Sequence, residues 1–464
     1  MDFLDEDYIK ERDLWLTRNR YFYSDIKRLF GYLIPEGSSV LEISFDDGWL
    51  LDALKPKTGM HLGFNKTVSE QGRNKYPRFK YVTTDEKDKL RITETFDYII
   101  LLNVVGSVTD LQGFFEQLHS VSNKDTKIVV TFYNYLWEPV IKLSEFFGFK
   151  QKQRIQNWLS VDDLAGLLDL ANFEVIRDDR RLLWPKKIPI VSWFLNRLVA
   201  RLPFFHRLNF WNYIIARPRP EFFQAKQYSV SVVVPVRNEK GMIGQIATRV
   251  PDMGEKTEIV FVEGGSHDGS WEEIIRIAKE HEGKRQIKFL KQTGQGKGDA
   301  VRAGFDVASG EILMILDADL TVPPEELGLF YKVAFSGQAE FVNGSRLVYP
   351  MEKQAMRFLN LLANKFFSLV FTWFLRSRVK DTLCGTKALF KKDYLKIAKN
   401  RRYFGDFDPF GDFDLIFGAH KLGLKIAELP VHYKERRYGQ TNISRFRHGW
   451  LLLKMCMFAA TKIE

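Results

Sequence analysis

Short apolar runs closed by turn residues recur along this chain, and the stretches between them carry helix-like spacing. In the first half, residues 1–33 read as helical and aromatic-rich, and residues 39–54 as a strand, an acidic turn and a helix. Residues 61–65 look like a second strand end, and residues 95–102 and 127–132 like the fourth and fifth strands. In the second half, residues 231–239 read as a strand closed by a proline-containing turn. Residues 258–270 read as a buried strand opening into a glycine-rich loop, and residues 294–302 as a loop leading into a helix. Residues 312–316 are wholly apolar, too short for a helix and bounded by Gly310, so they predict another buried strand. Strands alternating with helices over short loops predict an α/β architecture in both halves, with a Rossmann-like parallel sheet in the first.

At 464 residues the chain suits two domains, and the segment Arg217-Pro-Arg-Pro220 marks the boundary between residues 1–220 and 228–464. The 45% of hydrophobic residues suffices for full cores. A net charge of +11 asks for an acidic partner. No zinc finger or RNA-recognition signature is present, so nucleic acid is not expected, and lipid and phosphates lead. Two cysteines offer no disulfide framework, and the acidic start Met1-Asp-Phe-Leu-Asp-Glu-Asp7 is no signal peptide. The expected location is therefore peripheral, on the cytoplasmic face of a membrane.

The candidate chemistry starts at the end of the predicted strand 312–316. Asp317 and Asp319 fall at its carboxyl end, where open α/β sheets bind their ligands, and two carboxylates at that spacing can share one hard cation that also holds a diphosphate. The loop Gly294-Gln-Gly-Lys-Gly-Asp299 is not a P-loop, because Gly298 follows Lys297 where Ser or Thr is needed.

The motifs at 231–239, 258–270, 294–302 and 310–319, in this order, resemble the GT-A glycosyltransferases of family 2, above all the polyprenyl-phosphate sugar synthases such as dolichol-phosphate mannose synthase. The resemblance continues through Asn343-Gly-Ser-Arg346, Asp381-Thr-Leu-Cys-Gly-Thr-Lys387, Gly411-Asp-Phe-Asp414 and Glu435 to Ser444. It implies a metal-dependent, inverting transfer of a sugar from a GDP- or UDP-sugar. Asp317 and Asp319 would hold Mg2+ or Mn2+, while Pro235, Asn238 and Glu239 line the nucleotide pocket. Glu263 would keep a carboxylate for the base, and Ser266, Lys297 and Asp299 would contact the nucleotide sugar. Arg346 and Arg357 fit as clamps on phosphate oxygens, and Arg436 or Arg437 would serve the acceptor. Asp412 and Asp414 open an apparent helix; they are either first-turn carboxylates or, for a glycan hydroxyl acceptor, a general base. A polyprenyl phosphate is already ionised near neutral pH and needs positioning more than a base.

Residues 1–217 resemble a class I S-adenosylmethionine-dependent methyltransferase. Relatives carry Gly-x-Gly-x-Gly after the first strand, whereas this chain has Ser44, Asp46 and Gly48. Glu42 precedes that loop, Asn65 stands where an acidic residue grips the ribose, and Asp85 where relatives contact adenine. With two glycines lost, S-adenosylmethionine is expected to bind weakly or not at all. The half then serves as a structural or docking module; the alternative is a bifunctional methyltransferase and glycosyltransferase.

Residues 352–402 hold thirteen Lys and Arg against three acidic residues. Within them, Asn360, Asn364, Ser368 and Thr372 recur every fourth position, marking a polar stripe on a helix too interrupted to span a bilayer. Such a helix fits an anionic membrane surface, with an ordinary core helix as the alternative.

Overall fold

A computed structural model describes residues 14, 16–84, 90, 92–146, 157–220, 227–346, 368, 370, 372, 381, 384–399, 413–436 and 438. The chain divides into two compact units between Phe223 and Gln224.

Among the described residues, the first unit is built on seven strands: β1 (Ser39–Ser44), β2 (Thr58–Gly63), β3 (Lys80–Thr83), β4 (Phe96–Leu102), β5 (Ser122–Tyr133), β6 (Phe173–Arg181) and β7 (Trp211–Pro218). Their order is β3-β2-β1-β4-β5-β7-β6. The five strands from β3 to β5 are parallel, as expected, but β7 runs antiparallel to both neighbours, so the sheet is mixed. The apolar residues of β1 and the near-continuous apolar run of β4 are buried because helices cover both faces of such strands. The helix Arg20–Leu33 buries Phe22, Ile26, Leu29, Phe30 and Leu33, one face of a 3.6-residue period. Asp25 on the same face is buried. Burial opposes its charge, but Arg181 (2.7 Å) outweighs that and holds the carboxyl below its usual range.

The second unit, again among described residues, has β8 (Val230–Val236), β9 (Thr257–Glu263), β10 (Gln286–Lys291), β11 (Ile312–Ile315), β12 (Phe341–Ser345), β13 (Lys387–Phe390) and β14 (Ile426–Pro430), ordered β10-β9-β8-β11-β13-β12-β14. Strands β10, β9, β8 and β11 are parallel, and β13 is antiparallel to β11. Alternate residues face opposite cores. Val233, Val262 and Ile315 meet Val301 and Phe305 of the helix Gly296–Val307, while Val232, Val234 and Met314 meet Ile243, Ile246 and Ile274 from the helices Lys240–Arg249 and Ser270–Glu280. Gly304 lets the first of these helices lie close, since a Cβ there would collide with Val233 and Val262.

Strand β10 is absent from the sequence-level expectation. Its segment QIKFLK lies at the sheet edge and is only half buried, so it lacks the solid apolar run that marks β8, β9 and β11. The chain leaves β8 for β9 and β10 on one side and returns to β11 on the other. This order reversal opens a crevice at the carboxyl ends of β8 and β11.

Candidate active site at the β8/β11 switch point

The acidic turn follows directly from the end of β11. Leu316 N still donates to Val233 O (3.0 Å), after which the chain turns, with Leu320 N on Asp317 O (3.2 Å). Leu320 takes φ 53°, a left-handed conformation that a leucine rarely adopts, and such strain concentrates at functional turns. Asp319 Oδ1 accepts from Thr321 N (3.1 Å) and Thr321 Oγ1 (2.9 Å). Lys297 Nζ, from the first turn of Gly296–Val307, lies 2.5 Å from Asp317 Oδ1. Gly385 presses against this pair: a Cβ there would collide with both the Lys297 amine and the Asp317 carboxylate.

The two carboxylates are driven apart electrostatically. Burial opposes ionisation of Asp317, but Lys297, then Lys387 and Arg346, outweigh it and lower its pKa. Burial and the neighbouring Asp317 charge raise that of Asp319, with Thr321 and Arg436 opposing.

On the other wall, Pro235 sits in β8 at a point where β11 has already ended, so its missing N–H costs no ladder bond on that side. Asn238, with φ 56°, ties two loops: its N donates to Ser266 Oγ (3.0 Å) and its Oδ1 accepts from His267 N (2.8 Å). Glu263 Oε1 accepts from the Ser266 amide, so this carboxylate braces its own loop. Asp299 likewise closes its loop by accepting from Gly294 N (2.9 Å).

A segment from the far end of the chain crosses this crevice. Lys434 N donates to Thr321 O (2.8 Å), Arg436 pairs with the buried Glu239, and Tyr438 Oη donates to Asp268 Oδ2 (3.4 Å). Burial pushes the Glu239 carboxyl up, Arg436 pulls against it, and Asp319 and Asp268 add to the rise. Arg346, expected as a phosphate clamp, is instead held by Asp381. Its N and Nε donate to Oδ2 (2.9 and 2.8 Å) and its Nη2 to Oδ1 (2.9 Å), while its guanidinium lies 5.0 Å over the Tyr433 ring. Asp381 is wholly buried.

Asp317, Asp319, Lys297 and Glu239 thus converge, joined by Arg436, Asp381 and Gly385, to which the sequence assigned no firm role. The signal for Asp381 and Gly385 was the motif Asp381–Lys387, whose members had no legible partners. Asp414 lies in the first turn of the helix Phe413–Lys421. Asp85, Arg357, Asp412 and Arg437 fall outside the described residues, as do residues 352–367 and 373–380. A divalent cation fits the acidic turn: two adjacent carboxylates face one lysine, and no third His, Cys, Asp or Glu joins them among the described residues. That donor set leaves positions for phosphate oxygens and water, the habit of Mg2+ in nucleotide sites.

In the first unit the loop after β1 is filled by its own side chains. Ser44 Oγ donates to Glu42 Oε1 (2.9 Å) and lies 3.1 Å from His61 Nε2, Leu51 N donates to Glu42 Oε2 (3.1 Å), and Trp49 Nε1 donates to Asp46 (3.3 Å). Gly48 has the left-handed φ of 82°, yet the Tyr81 hydroxyl occupies the space beside it. Asn65 caps the helix Lys66–Lys75 by accepting from Val68 N (3.1 Å). These residues fit S-adenosylmethionine poorly, since Ser44 and Asp46 stand in place of two glycines and Glu42, Asp46 and Asn65 already bond within the protein.

Residues 231–397 match the family model of glycosyl transferase family 2, and residues 14–178 match that of a methyltransferase domain. The undecaprenyl-phosphate 4-deoxy-4-formamido-L-arabinose transferase of Aeromonas hydrophila is 38% identical over 112 residues, 23% of this chain and 34% of that protein. Its Edwardsiella ictaluri counterpart is 28% identical over 218 residues, 46% of this chain and 62% of that protein. The chain therefore spans less than two thirds of these curated relatives. Among solved structures, glucosyl-3-phosphoglycerate synthase from Mycobacterium tuberculosis with Mn2+ and UDP aligns with a TM-score of 0.36 and 17% identity, covering 51% of this chain and 80% of that one. A Thermotoga maritima S-adenosylmethionine-dependent methyltransferase aligns with a TM-score of 0.37 and 15% identity, covering 46% of this chain and 97% of that one.

Proposed function

Because the chain joins a family 2 glycosyl transferase domain to a methyltransferase domain, we propose that it moves a sugar from a nucleoside diphosphate to a polyprenyl phosphate, with inversion, at a membrane surface. The observation that carries this is the Asp317–Asp319 turn at the switch point, with Lys297 and Arg436 on either side of it. The names of the curated relatives, which act on undecaprenyl phosphate, support the acceptor class.

In this mechanism Asp317 and Asp319 would hold Mg2+ or Mn2+, which would supply charge stabilisation for the departing nucleoside diphosphate. Lys297, whose Nζ lies 2.5 Å from Asp317 Oδ1, would meet a phosphate oxygen as a point charge. The loop braced by Glu263, Ser266 and Asn238 forms the rigid wall against which the nucleoside sits. Arg436, anchored on Glu239, keeps positive charge beside Asp319 and attracts the acceptor phosphate. Asp381 holds Arg346 in place, so that its charge acts on Asp317 through the field rather than by contact. The acceptor is already an anion and requires no general base. The cation-rich residues 352–402 supply the attraction to anionic headgroups. No methyl-transfer step is assigned.

The test is incubation of the full chain with radiolabelled UDP- and GDP-sugars, Mn2+ and a polyprenyl phosphate in detergent. Label is expected in the organic phase, and Asp317→Asn or Asp319→Asn should abolish it without altering the circular dichroism spectrum. Label that enters only a water-soluble glycan would reject the lipid acceptor.

A further inference from the structure

Between β6 and β7 the first unit carries a segment, residues 184–207, whose polarity is reversed. Its uncharged polar side chains Ser192 and Asn196 point into the protein. Ser192 is buried, donating to Lys186 O (2.7 Å) and accepting from Ile188 N (2.6 Å). Asn196 accepts from Trp184 N (2.8 Å) and donates to Trp184 O (2.8 Å) and Tyr21 Oη (3.1 Å). The buried Ala200 continues this inner row at the same four-residue spacing, and its carbonyl accepts from Asn209 Nδ2 (3.2 Å).

The large apolar side chains take the outer side. Ile190 is 82% exposed, Phe204 71%, Trp193 53% and Phe194 50%. Single exposed apolar residues are ordinary, but several large exposed apolar side chains within one short segment on a fixed polar base mark an interaction surface. The backbone agrees. Ile190 has φ 64° and ψ −50°, a conformation that a β-branched residue avoids, and it sits directly before the helix Val191–Arg197. The strain thus coincides with the most exposed large apolar side chain of the segment.

Charge selects the partner. Residues 184–207 contain Lys186, Lys187, Arg197, Arg201 and Arg207 and no Asp or Glu. Lys187 and Arg207 are exposed, and the Arg197 guanidinium lies 5.8 Å from the Trp193 ring centroid. Aromatic side chains interleaved with cations and without a single anion suit the headgroup zone of an anionic bilayer, where rings take the interface and cations meet lipid phosphates.

We propose that residues 184–207 are a membrane-docking element, and that the methyltransferase-fold unit holds the chain on an anionic leaflet instead of methylating a substrate. The inference is independent of which acceptor the second unit uses, so the transfer assay and the following experiment fail separately.

The experiment uses the full chain with vesicles of phosphatidylcholine, with and without phosphatidylglycerol. Sedimentation measures partitioning, and amide hydrogen exchange reports on residues 184–207 themselves. Vesicles with phosphatidylglycerol should slow exchange in this segment. The variant Trp193→Ala/Phe204→Ala should lower the partition coefficient by at least about tenfold, since two aromatic side chains no longer leave water. Ile190→Asp, an exposed position, should do the same without lowering the thermal unfolding temperature. Partitioning unaffected by both variants, or exchange in 184–207 unaffected by vesicles, overturns the proposal. Slowed exchange that rises with protein concentration in the absence of lipid overturns it too, by assigning the face to a second copy of the chain.

Discussion

Replacing Asp381 by Ala isolates the support of the active site from its chemistry. The carboxylate accepts three hydrogen bonds from Arg346, two of them from a guanidinium that is only 11% exposed. Without Asp381 that charge keeps the Tyr433 ring beside it but loses its counter-ion. Removing one partner of a buried pair costs about 3–5 kcal/mol, because the remaining charge stays desolvated. At about 1.4 kcal/mol per tenfold, local opening of β12 and β13 becomes roughly a hundred to a few thousand times more frequent. Amide exchange in those two strands measures this directly and does not depend on the unfolding of the first unit. A companion variant, Asp381→Leu/Arg346→Met, removes both charges and should restore most of the protection, since two apolar groups replace the pair. Transfer should nonetheless fall in the double variant, because the positive charge of Arg346 no longer stands near the Asp317 turn. Exchange in Asp381→Ala within threefold of the parent chain would refute the reasoning.

Three further outcomes follow from other contacts. Lys297→Met removes the cation at Asp317, so Mn2+ measured by paramagnetic resonance should bind about tenfold more tightly without nucleotide, while sugar transfer falls; unchanged affinity would separate Lys297 from the metal position. Burial raises the Glu42 carboxyl from 4.5 to about 8. Its contribution to stability is therefore complete below 4.5 and is lost as pH rises towards 8, at up to about 1.4 kcal/mol per pH unit. Glu42→Gln should remove that slope in thermal unfolding followed from pH 5 to 8, and an unaltered slope would contradict the assignment. Calorimetric titration of the full chain with S-adenosylmethionine should give no heat of binding at low-micromolar concentrations, since Asn65, Glu42 and Asp46 are already engaged; micromolar affinity would reject the filled-loop description.

Much of the framework was determined by the sequence alone, because the relevant signals are local. A run of apolar residues ended by Asp-x-Asp specifies a buried strand with carboxylates at its end, and β11 with Asp317 and Asp319 follows. The loss of two glycines after β1 could likewise be read directly, whereas Asn65, read as the residue in the ribose position, was shown to cap Lys66–Lys75 only by the fold. Strand β10 escaped because edge strands are half solvated and lack a solid apolar run. The partners of the charged residues were decided only by the fold. Arg346 has the composition of a phosphate clamp, yet it meets Asp381 35 residues later, and Arg436 meets Glu239 at a separation of 197. No local pattern encodes such pairings, since they depend on which strand ends the sheet order brings together. The same limit applies to residues 184–207. Periodicity reveals that a helix has an apolar face, but only packing determines whether that face meets a core or is left to solvent. Here Ser192 and Asn196 took the inner side, and the aromatic residues remained outside.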